Sequence, residues 1–199
     1  MLDNFVNQAA MAIYHAHNLE LMQRNLSRKD EEIKRMRRAG LLISSRLRLE
    51  ETLESILQMA LEVTGARWGI FRLLDKKAQT LNTRAVAGEY TGHPLVEELP
   101  LDSNSVMAWV ARERQSACIA DLHAEPWSQI YYPLDAGLEM RSELAVPLIG
   151  ATGRLEGVLN LESPVVGAFG EEDSYLLQAL ATQAVITIQE VRLLDALEE

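Results

Sequence analysis

Four large aromatic side chains crowd into the segment between residues 109 and 132. They are Trp109, Trp127, Tyr131 and Tyr132. Aromatic rings can stack on a flat ligand while their N–H or O–H groups bind its polar edge. The crowding predicts that the rings border one cavity that holds a small molecule. The alternative is that the rings themselves fill that cavity.

Polar residues near these rings could bind an anionic part of a ligand. Arg141 and Ser142 begin a predicted strand, and the helix start at Ser103-Asn104-Ser105 offers free backbone N–H groups. Asp121 and His123 precede the second tryptophan and complete the candidate ligand-binding set. We expect Arg141 to border the same cavity, on the side of the sheet away from the terminal helices. The alternative is an ion pair between Arg141 and a nearby acid.

Groups suited to covalent or metal chemistry are sparse. The only thiol is Cys118, which has no adjacent histidine and is predicted to be a buried, inert strand residue. The four histidines, His15, His17, His93 and His123, form no cluster with the spacing of metal ligands. No nucleophile–base pair can be assembled from the motifs, so the sequence predicts neither an enzyme nor a metal site. A single cysteine also fits a cytoplasmic protein without an intrachain disulfide.

Composition limits the possible partners. The chain has 199 residues, enough for one domain plus an extended element, and 48% of them are hydrophobic. No apolar run is long enough to predict direct membrane insertion. The net charge of −10 argues against a nucleic-acid partner. Residues 24–38 carry a local charge of +4, but acids interleave with the bases, which indicates a solvated helix surface.

Two helices carry apolar residues at three-four spacing. Residues 3 to about 38 lack glycine and proline, which predicts one long helix. Its apolar positions, Leu19, Met22, Leu26, Ile33 and Met36, form a coiled-coil seam in which Lys29 is the one polar member. A similar seam is predicted in the closing helix, with Leu177, Leu180, Ala184, Val191 and Leu194. Together the two seams predict a parallel homodimer.

The remaining pattern predicts a sheet. Runs at 67–74 and 80–87 are strand-like, and residues 144–149 and 155–162 form a hairpin across Gly150-Ala151-Thr152-Gly153. Both faces of the 144–149 run are apolar, so helices must cover both faces of the sheet. The predicted fold is α/β (α+β), with a central antiparallel sheet of five or six strands and flanking helices.

Glycines and prolines set the predicted boundaries. Gly40 is expected to interrupt or weaken the first helix. It separates a linker helix at 1–40 from a domain at 41–199 whose closing helix spans about 171–197. Between Gly88 and Asp102 the period fails, which predicts a loop with a short helix near Leu95 to Leu99.

Three motifs in the second half of the chain resemble the GAF domain family. They are Ser142-x-Leu144-x-Val146-Pro147-Leu148, then Gly157-Val158-Leu159-Asn160-Leu161, then Phe169-Gly170-Glu171-Glu172-Asp173. The resemblance runs from about Leu41 to about Leu194. It implies a sensory module of an intracellular signalling protein, with a small-molecule ligand and an output domain that this chain does not contain. The alternatives are a GAF unit that only dimerises and, less favoured by the residues, a haem or bilin sensor.

Family members differ in what they bind. Those that bind cyclic nucleotides carry Asn-Lys, then Phe, three residues and Asp-Glu, whereas this chain has Asn160-Leu161, Phe169 and Asp173-Ser174. The asparagine, the phenylalanine and the first acid match this pattern, whereas the lysine and the second acid do not. The mismatch weakens the cyclic-nucleotide alternative and leaves it open. Bilin attachment through a pocket-helix cysteine has no match, and the family's reductases of free methionine sulfoxide use several cysteines. Residues 6–13 also resemble residues 181–188, which indicates one unit of a tandem array together with its preceding helix.

Overall fold

The computed structural model describes residues 2–89, 96–131 and 139–196. The chain divides into two compact units, Met1–Ser45 and Arg46–Glu199. Among the predicted site and seam residues, Tyr132 lies outside the described ranges. Leu194 lies within α3, but its side chain is not described.

The first helix, α1, spans Leu2–Thr64. The predicted interruption at Gly40 is wrong, because the helix continues through it. A glycine costs a helix only about 1 kcal/mol relative to alanine, and good helix formers stand on both sides. Nothing in the structure approaches the open side of Gly40.

Within the first unit, α1 has the surface of a solvated helix. The apolar seam residues are all exposed, from Ile33 at 49% to Leu26 at 76%. The interleaved acids and bases form ion pairs: Lys34 Nζ lies 2.6 Å from Asp30 Oδ2, and Arg35 Nη2 lies 3.8 Å from Glu31 Oε2. Such exposed ion pairs stabilise the helix only weakly. The main feature of this helix that lacks a packing partner in the single chain is its apolar seam.

The second unit is built on a six-stranded antiparallel sheet. Its strands are β1 (Trp68–Asp75), β2 (Thr80–Gly88), β3 (Glu98–Pro100), β4 (Ala117–Ile119), β5 (Ser142–Ile149) and β6 (Leu155–Ser163). They lie in the order β3-β2-β1-β6-β5-β4. The predicted sheet and hairpin are confirmed, with Val146 opposite Leu159 in the hairpin register. The predicted helix near Leu95 to Leu99 is wrong, since Glu98–Pro100 pairs with β2.

One face of the sheet is packed by the C-terminal part of α1 and by the closing helix α3 (Glu171–Ala196). We call it the helical face. Its core includes Leu53 and Leu57 of α1, Phe71, Leu144, Val146 and Leu159 of the strands, and Leu177, Ala184 and Ile188 of α3. Each large apolar side chain that is buried in this way contributes about 1.5–3 kcal/mol.

This packing corrects the prediction for the closing helix. Leu177 and Ala184 have no exposed surface, and Val191 is 7% exposed. Leu180 is partly buried against the same core. These side chains therefore cover the domain's own sheet and are not free to meet a partner chain. The sequence pattern could not distinguish the two, because an apolar stripe that faces a sheet repeats like one that faces another helix.

The opposite face is covered by α2 (Val106–Glu113) and by the segments around it. We call it the α2 face. Its buried core comprises Trp68, Ile70, Leu81, Leu99, Val106, Met107, Val110, Ala111, Ala117, Ile119, Leu122, Met140, Ala145, Leu155 and Val158. Helices and loops thus cover both faces, as the two-sided apolar pattern of β5 predicts.

Candidate ligand-binding face

The predicted aromatic residues come together on the α2 face. The ring centroids of Trp109 and Trp127 lie 5.2 Å apart at an interplanar angle of 88°, an edge-to-face contact. Both rings and Tyr131 are partly buried against the core of this face. This is the side of the sheet away from α1 and α3, as predicted, although the cavity itself stays a prediction.

Local capping holds the two tryptophan-bearing segments in place. The Ser105 side chain accepts a hydrogen bond from the backbone N–H of Ala108 at 3.1 Å and so caps α2, as its sequence predicts. Next to it, Asn104 Nδ2 donates to the backbone carbonyl of Gln129 at 2.7 Å. The start of α2 is therefore tied to the short 3₁₀ turn at Trp127–Gln129.

The predicted anion handle is already occupied by an acid. Arg141 Nη2 donates to Asp121 Oδ1 and Oδ2 at 3.1 and 3.0 Å, and Arg141 Nε donates to Oδ1 at 3.2 Å. Hydrogen bonding from Arg141 is the main cause that lowers the pKa of Asp121. This ion pair is the alternative that the sequence leaves open for Arg141, and binding of a ligand anion by its guanidinium stays a prediction.

Two further candidates also lie apart from the rings' packing. His123 is exposed, and its Nδ1 stands 3.8 Å from Glu139 Oε1 on the surface. Ser142 is fully buried, and its hydroxyl donates to the backbone carbonyl of Val165 at 2.8 Å. By strand alternation Ser142 points to the helical face, because its neighbour in β5, Glu143, points to the α2 face. Ser142 is thus a structural residue.

The most unusual groups on the α2 face are two glutamates that the sequence reading missed. Glu143 of β5 and Glu162 of β6 lie directly opposite each other in the antiparallel register. Each is only 2% exposed. Asn160, two residues along β6 on the same face, donates from Nδ2 to Glu162 Oε1 at 3.2 Å. Opposite residues in a ladder have Cβ atoms about 4.5–5.5 Å apart, so the two carboxylates face one environment.

Burial and mutual repulsion disfavour the charged forms of this pair. Burial raises the pKa of Glu162 to about 8, against a smaller lowering by the Asn160 hydrogen bond. For Glu143, burial and then repulsion from Glu162 raise the pKa well above its ordinary value. The two carboxyl groups titrate as a pair, so the ligand-free protein keeps this pair protonated at neutral pH.

Other buried polar atoms nearby have no hydrogen-bond partner among the described residues. They are Trp68 Nε1, Tyr131 Oη and Asn160 Oδ1. Trp68 lies directly opposite Glu162 on β1, so it belongs to the same part of the α2 face. Burial, with a further contribution from Glu162 and Glu143, raises the pKa of the Tyr131 hydroxyl. Buried polar atoms are normally paired with protein groups or ordered water, so this group is unusual within the described fold.

The position of the thiol differs from the one that the sequence predicts. Cys118 is exposed, which corrects the prediction of a buried side chain, and its Sγ lies 3.7 Å from the carbonyl oxygen of Phe169. Desolvation, and secondly Asp173, raise the pKa of this thiol, so its reactive thiolate form is disfavoured. Within the described residues, no three or more His, Cys, Asp or Glu side chains are grouped to hold a metal ion. The described helices include none with the length and hydrophobicity to cross a bilayer.

An antiparallel sheet with one face packed by terminal helices, and the other bearing buried polar groups and partly buried aromatic residues, defines an α+β domain with a candidate ligand face. The family follows from the sequence. The chain belongs to the GAF domain family, whose model matches residues 47–189. No curated protein matches the chain significantly.

Solved structures share the fold at low sequence identity. The type II free methionine-R-sulfoxide reductase from Thermoplasma acidophilum is 19% identical over 74% of this chain and 96% of its own, with a TM-score of 0.64. The GAF domain of an Acinetobacter phosphoenolpyruvate-protein phosphotransferase is 19% identical over 77% and 93%, with a TM-score of 0.62. Residues 122 to 287 of a methyl-accepting chemotaxis protein are 22% identical over 74% and 93%, also with a TM-score of 0.62. The fold is therefore used by a reductase and by parts of a phosphotransferase and of a chemotaxis protein.

The residues shared with cyclic-nucleotide-binding members serve the architecture here. Phe169 is buried in the core of the helical face. Asp173 Oδ2 accepts a hydrogen bond from the backbone N–H of Gly170 at 2.8 Å and so orders the start of α3. Asn160 alone of this motif reaches the polar group on the α2 face.

Proposed function

We propose that this chain is a regulatory GAF module of a cytoplasmic signalling protein, which binds a small molecule on the α2 face and dimerises through α1. Residues 1–40 would act as a coiled-coil linker and residues 41–199 as the sensory domain. A covalently linked output domain would receive the signal. The observation that carries the ligand-binding part is the set of unpaired buried polar atoms beside the aromatic residues of this face.

A bound molecule would satisfy groups that the folded chain leaves without partners. Trp68 Nε1 is a donor, Asn160 Oδ1 is an acceptor, and Tyr131 Oη can be either. Leaving such atoms buried and unpaired costs about 1–3 kcal/mol each, so a ligand that pairs them stabilises the domain. A ligand that pairs these atoms in one conformation and not in the other would shift the conformational equilibrium, as a sensor requires.

The signal would pass from the ligand face to the helices through the sheet. Val146 of β5 and Leu159 of β6 pack on the helical face, while Glu143, Asn160 and Glu162 of the same strands lie on the α2 face. Closely packed interiors transmit small shifts, so a ligand that repositions these strands would bias the packing of the helices against them.

To test ligand binding, the protein is purified from its own host without denaturation, and the small molecules released by acid are identified by mass spectrometry. We expect a compound in near-stoichiometric amount. Tyr131→Phe removes only the unpaired hydroxyl and should reduce the amount retained. Tyr175→Phe is the matched control, because Tyr175 is 70% exposed on α3. Protein that retains no compound would favour a GAF unit that only dimerises.

We propose no catalytic turnover. Replacing Cys118 by serine should leave the melting temperature within about 1 °C of the unmodified protein, because serine can still donate to the Phe169 carbonyl and the site is exposed. Calorimetry measures this, and a free methionine sulfoxide reduction assay on both proteins should show no activity. A reductase activity that disappears in Cys118→Ser would contradict the proposal and make the thiol functional.

A further inference from the structure

The α2 face buries two acids without supplying a base for them. No ion pair joins Glu143 or Glu162 to a lysine or arginine anywhere in the described chain. All 19 lysines and arginines fall in described parts of the structure, and the undescribed segments 90–95 and 132–138 contain neither residue type. The chain therefore provides no permanent cation for this pair.

Elsewhere the same sheet does supply a partner for a buried acid. Glu156 of β6 is fully buried, and its carboxylate forms ion pairs with Arg192 of α3 and, at 3.6 Å, with Arg154. Buried charges in proteins are normally paired in this way. The contrast within one strand indicates that the partner of Glu143 and Glu162 is not part of the chain.

The surroundings of the acidic pair suit an organic cation. Asn160 Oδ1 is a further unpaired acceptor beside the carboxylates, so the N–H donors of a cation would find oxygen atoms from three side chains. Trp68 and Tyr131 add aromatic surface, which attracts organic cations through the ring quadrupole. A metal ion would leave Trp68 Nε1 without a partner, because an indole N–H can only donate.

We propose that the ligand of this module carries a primary ammonium or a similar organic cation, which binds between Glu143 and Glu162 and to Asn160. Trp68 Nε1 and Tyr131 Oη then bind a polar, electron-rich group in the rest of the ligand. This inference rests on the proposed function, because it specifies the chemistry of the same ligand face. The cation allows both carboxylates to ionise together, which the isolated protein disfavours.

The probe is n-butylammonium chloride, compared with n-butanol and sodium butyrate, which have similar size and different charge. Titration calorimetry at pH 8 and constant ionic strength should give a Kd of about 1–10 mM for the ammonium and at least about tenfold weaker binding for the other two. The double variant Glu143→Gln/Glu162→Gln should weaken ammonium binding at least about tenfold. Its matched control is Glu98→Gln/Glu113→Gln, which removes two exposed acids and should change nothing. Circular dichroism checks that every variant is folded.

The outcomes separate this inference from the proposed function. Equal binding of butylammonium and butanol, or ammonium binding that survives in the double glutamine variant, overturns the cation site. So does a response to calcium or magnesium chloride without one to butylammonium. A neutral or anionic compound released from the host-purified protein, and lost in Tyr131→Phe, would support the proposed ligand-binding function and overturn the proposal that the ligand is a cation. Absence of both a retained compound and probe binding removes both proposals.

Discussion

Replacing Glu162 by glutamine is expected to stabilise the ligand-free protein at pH 8 and to change its stability little at pH 5. The pKa of Glu162 is about 8 in the folded protein, against 4.5 for an ordinary glutamate. Between those values the folded state binds more proton than the unfolded state, so the free energy of unfolding falls as pH rises. The loss is about 1.4 kcal/mol per pH unit for one proton. Glutamine resembles the protonated acid and removes this loss.

The groups that face Glu162 determine how the free energy of unfolding depends on pH. Glu143 lies opposite and repels it, Asn160 donates to it, and Tyr131 stays neutral across this pH range because its own pKa is raised. We expect Glu143→Gln to act in the same direction, with less than additive effect in the double variant, because each substitution relieves the other's repulsion. Urea unfolding at pH 5, 6.5 and 8, at one protein concentration, measures all three variants.

Glu156→Gln is the informative control. Glu156 is equally buried but paired with Arg192, so its removal leaves a half-buried cation without its partner. That variant should be destabilised at pH 8, opposite in sign to Glu162→Gln. If Glu162→Gln destabilises the protein at pH 8, then Glu162 is charged and paired in the folded state.

The buried glutamates show what the sequence could and could not predict. The two-sided apolar pattern of β5 predicted coverage of both sheet faces, and this was the one signal that an acid within such a strand would be buried. It was not enough to place Glu143 against Glu162, because that contact depends on the register of β5 on β6. The residue types were visible in sequence, but their juxtaposition was not.

The aromatic residues were easier to place than the charged ones. Trp109, Trp127 and Tyr131 reach the α2 face because local capping and turn residues bring their segments there. The long side chain of Arg141 forms hydrogen bonds with Asp121, which lies 20 residues away in sequence. Ion pairs of this kind depend on tertiary geometry, so the sequence offers the pairing of Arg141 with an acid only as an alternative.

Strand β3 illustrates a different limit. Its three residues have no period of their own, and Glu98–Pro100 is a strand because β2 offers an edge. The buried Arg72 of β1 strengthens this corner by donating to the carbonyl of Glu97 at 3.3 Å and to that of Val96. Non-local hydrogen bonds of this kind override weak local preference.

Replacing Leu26 and Ile33 together by aspartate is expected to convert a dimer into a monomer while the GAF domain stays folded. Both side chains lie in the Met1–Ser45 unit and are exposed in the single chain, at 76% and 49%. With Leu19, Met22 and Met36 they form an apolar stripe along the helix, and exposed ion pairs lie beside it.

Pairing of two such stripes supplies enough free energy for association. Each buried leucine or isoleucine contributes about 1.5–3 kcal/mol, and a dimer buries the seam from both chains. The sum exceeds the lower estimates of about 4–15 kcal/mol for the cost of association. An aspartate at either position would have to be buried unpaired, so two substitutions should lower the affinity by several powers of ten.

A matched control separates the seam from a general effect of added charge. Leu21→Asp/Ser27→Asp introduces the same two charges in the same helix, and Leu21 is itself an exposed leucine at 44%. Neither position lies on the seam, so this variant should remain dimeric. Light scattering and sedimentation at about tens of micromolar measure the mass of each protein.

The orientation of the two chains can be tested at the polar seam position. In a parallel dimer both copies of residue 29 face each other, so Lys29→Cys, in a Cys118→Ser background, should form an intermolecular disulfide under mild oxidation. In an antiparallel pairing residue 29 would face a different residue, and the bond would form slowly. Parallel order is expected because both copies must deliver their signal to output domains on the same side.

In the proposed dimer, the α1 seam acts without the seam residues that the sequence predicts in the closing helix. Leu177, Ala184 and Val191 pack into the domain's own core, so the second seam that the sequence predicted is used within the chain. The double aspartate variant should therefore lose dimerisation completely, with the far-ultraviolet spectrum and melting of the GAF domain retained. If the unmodified protein is monomeric at tens of micromolar, or if the double aspartate variant stays dimeric, then α1 does not join the copies and relay along it has no support.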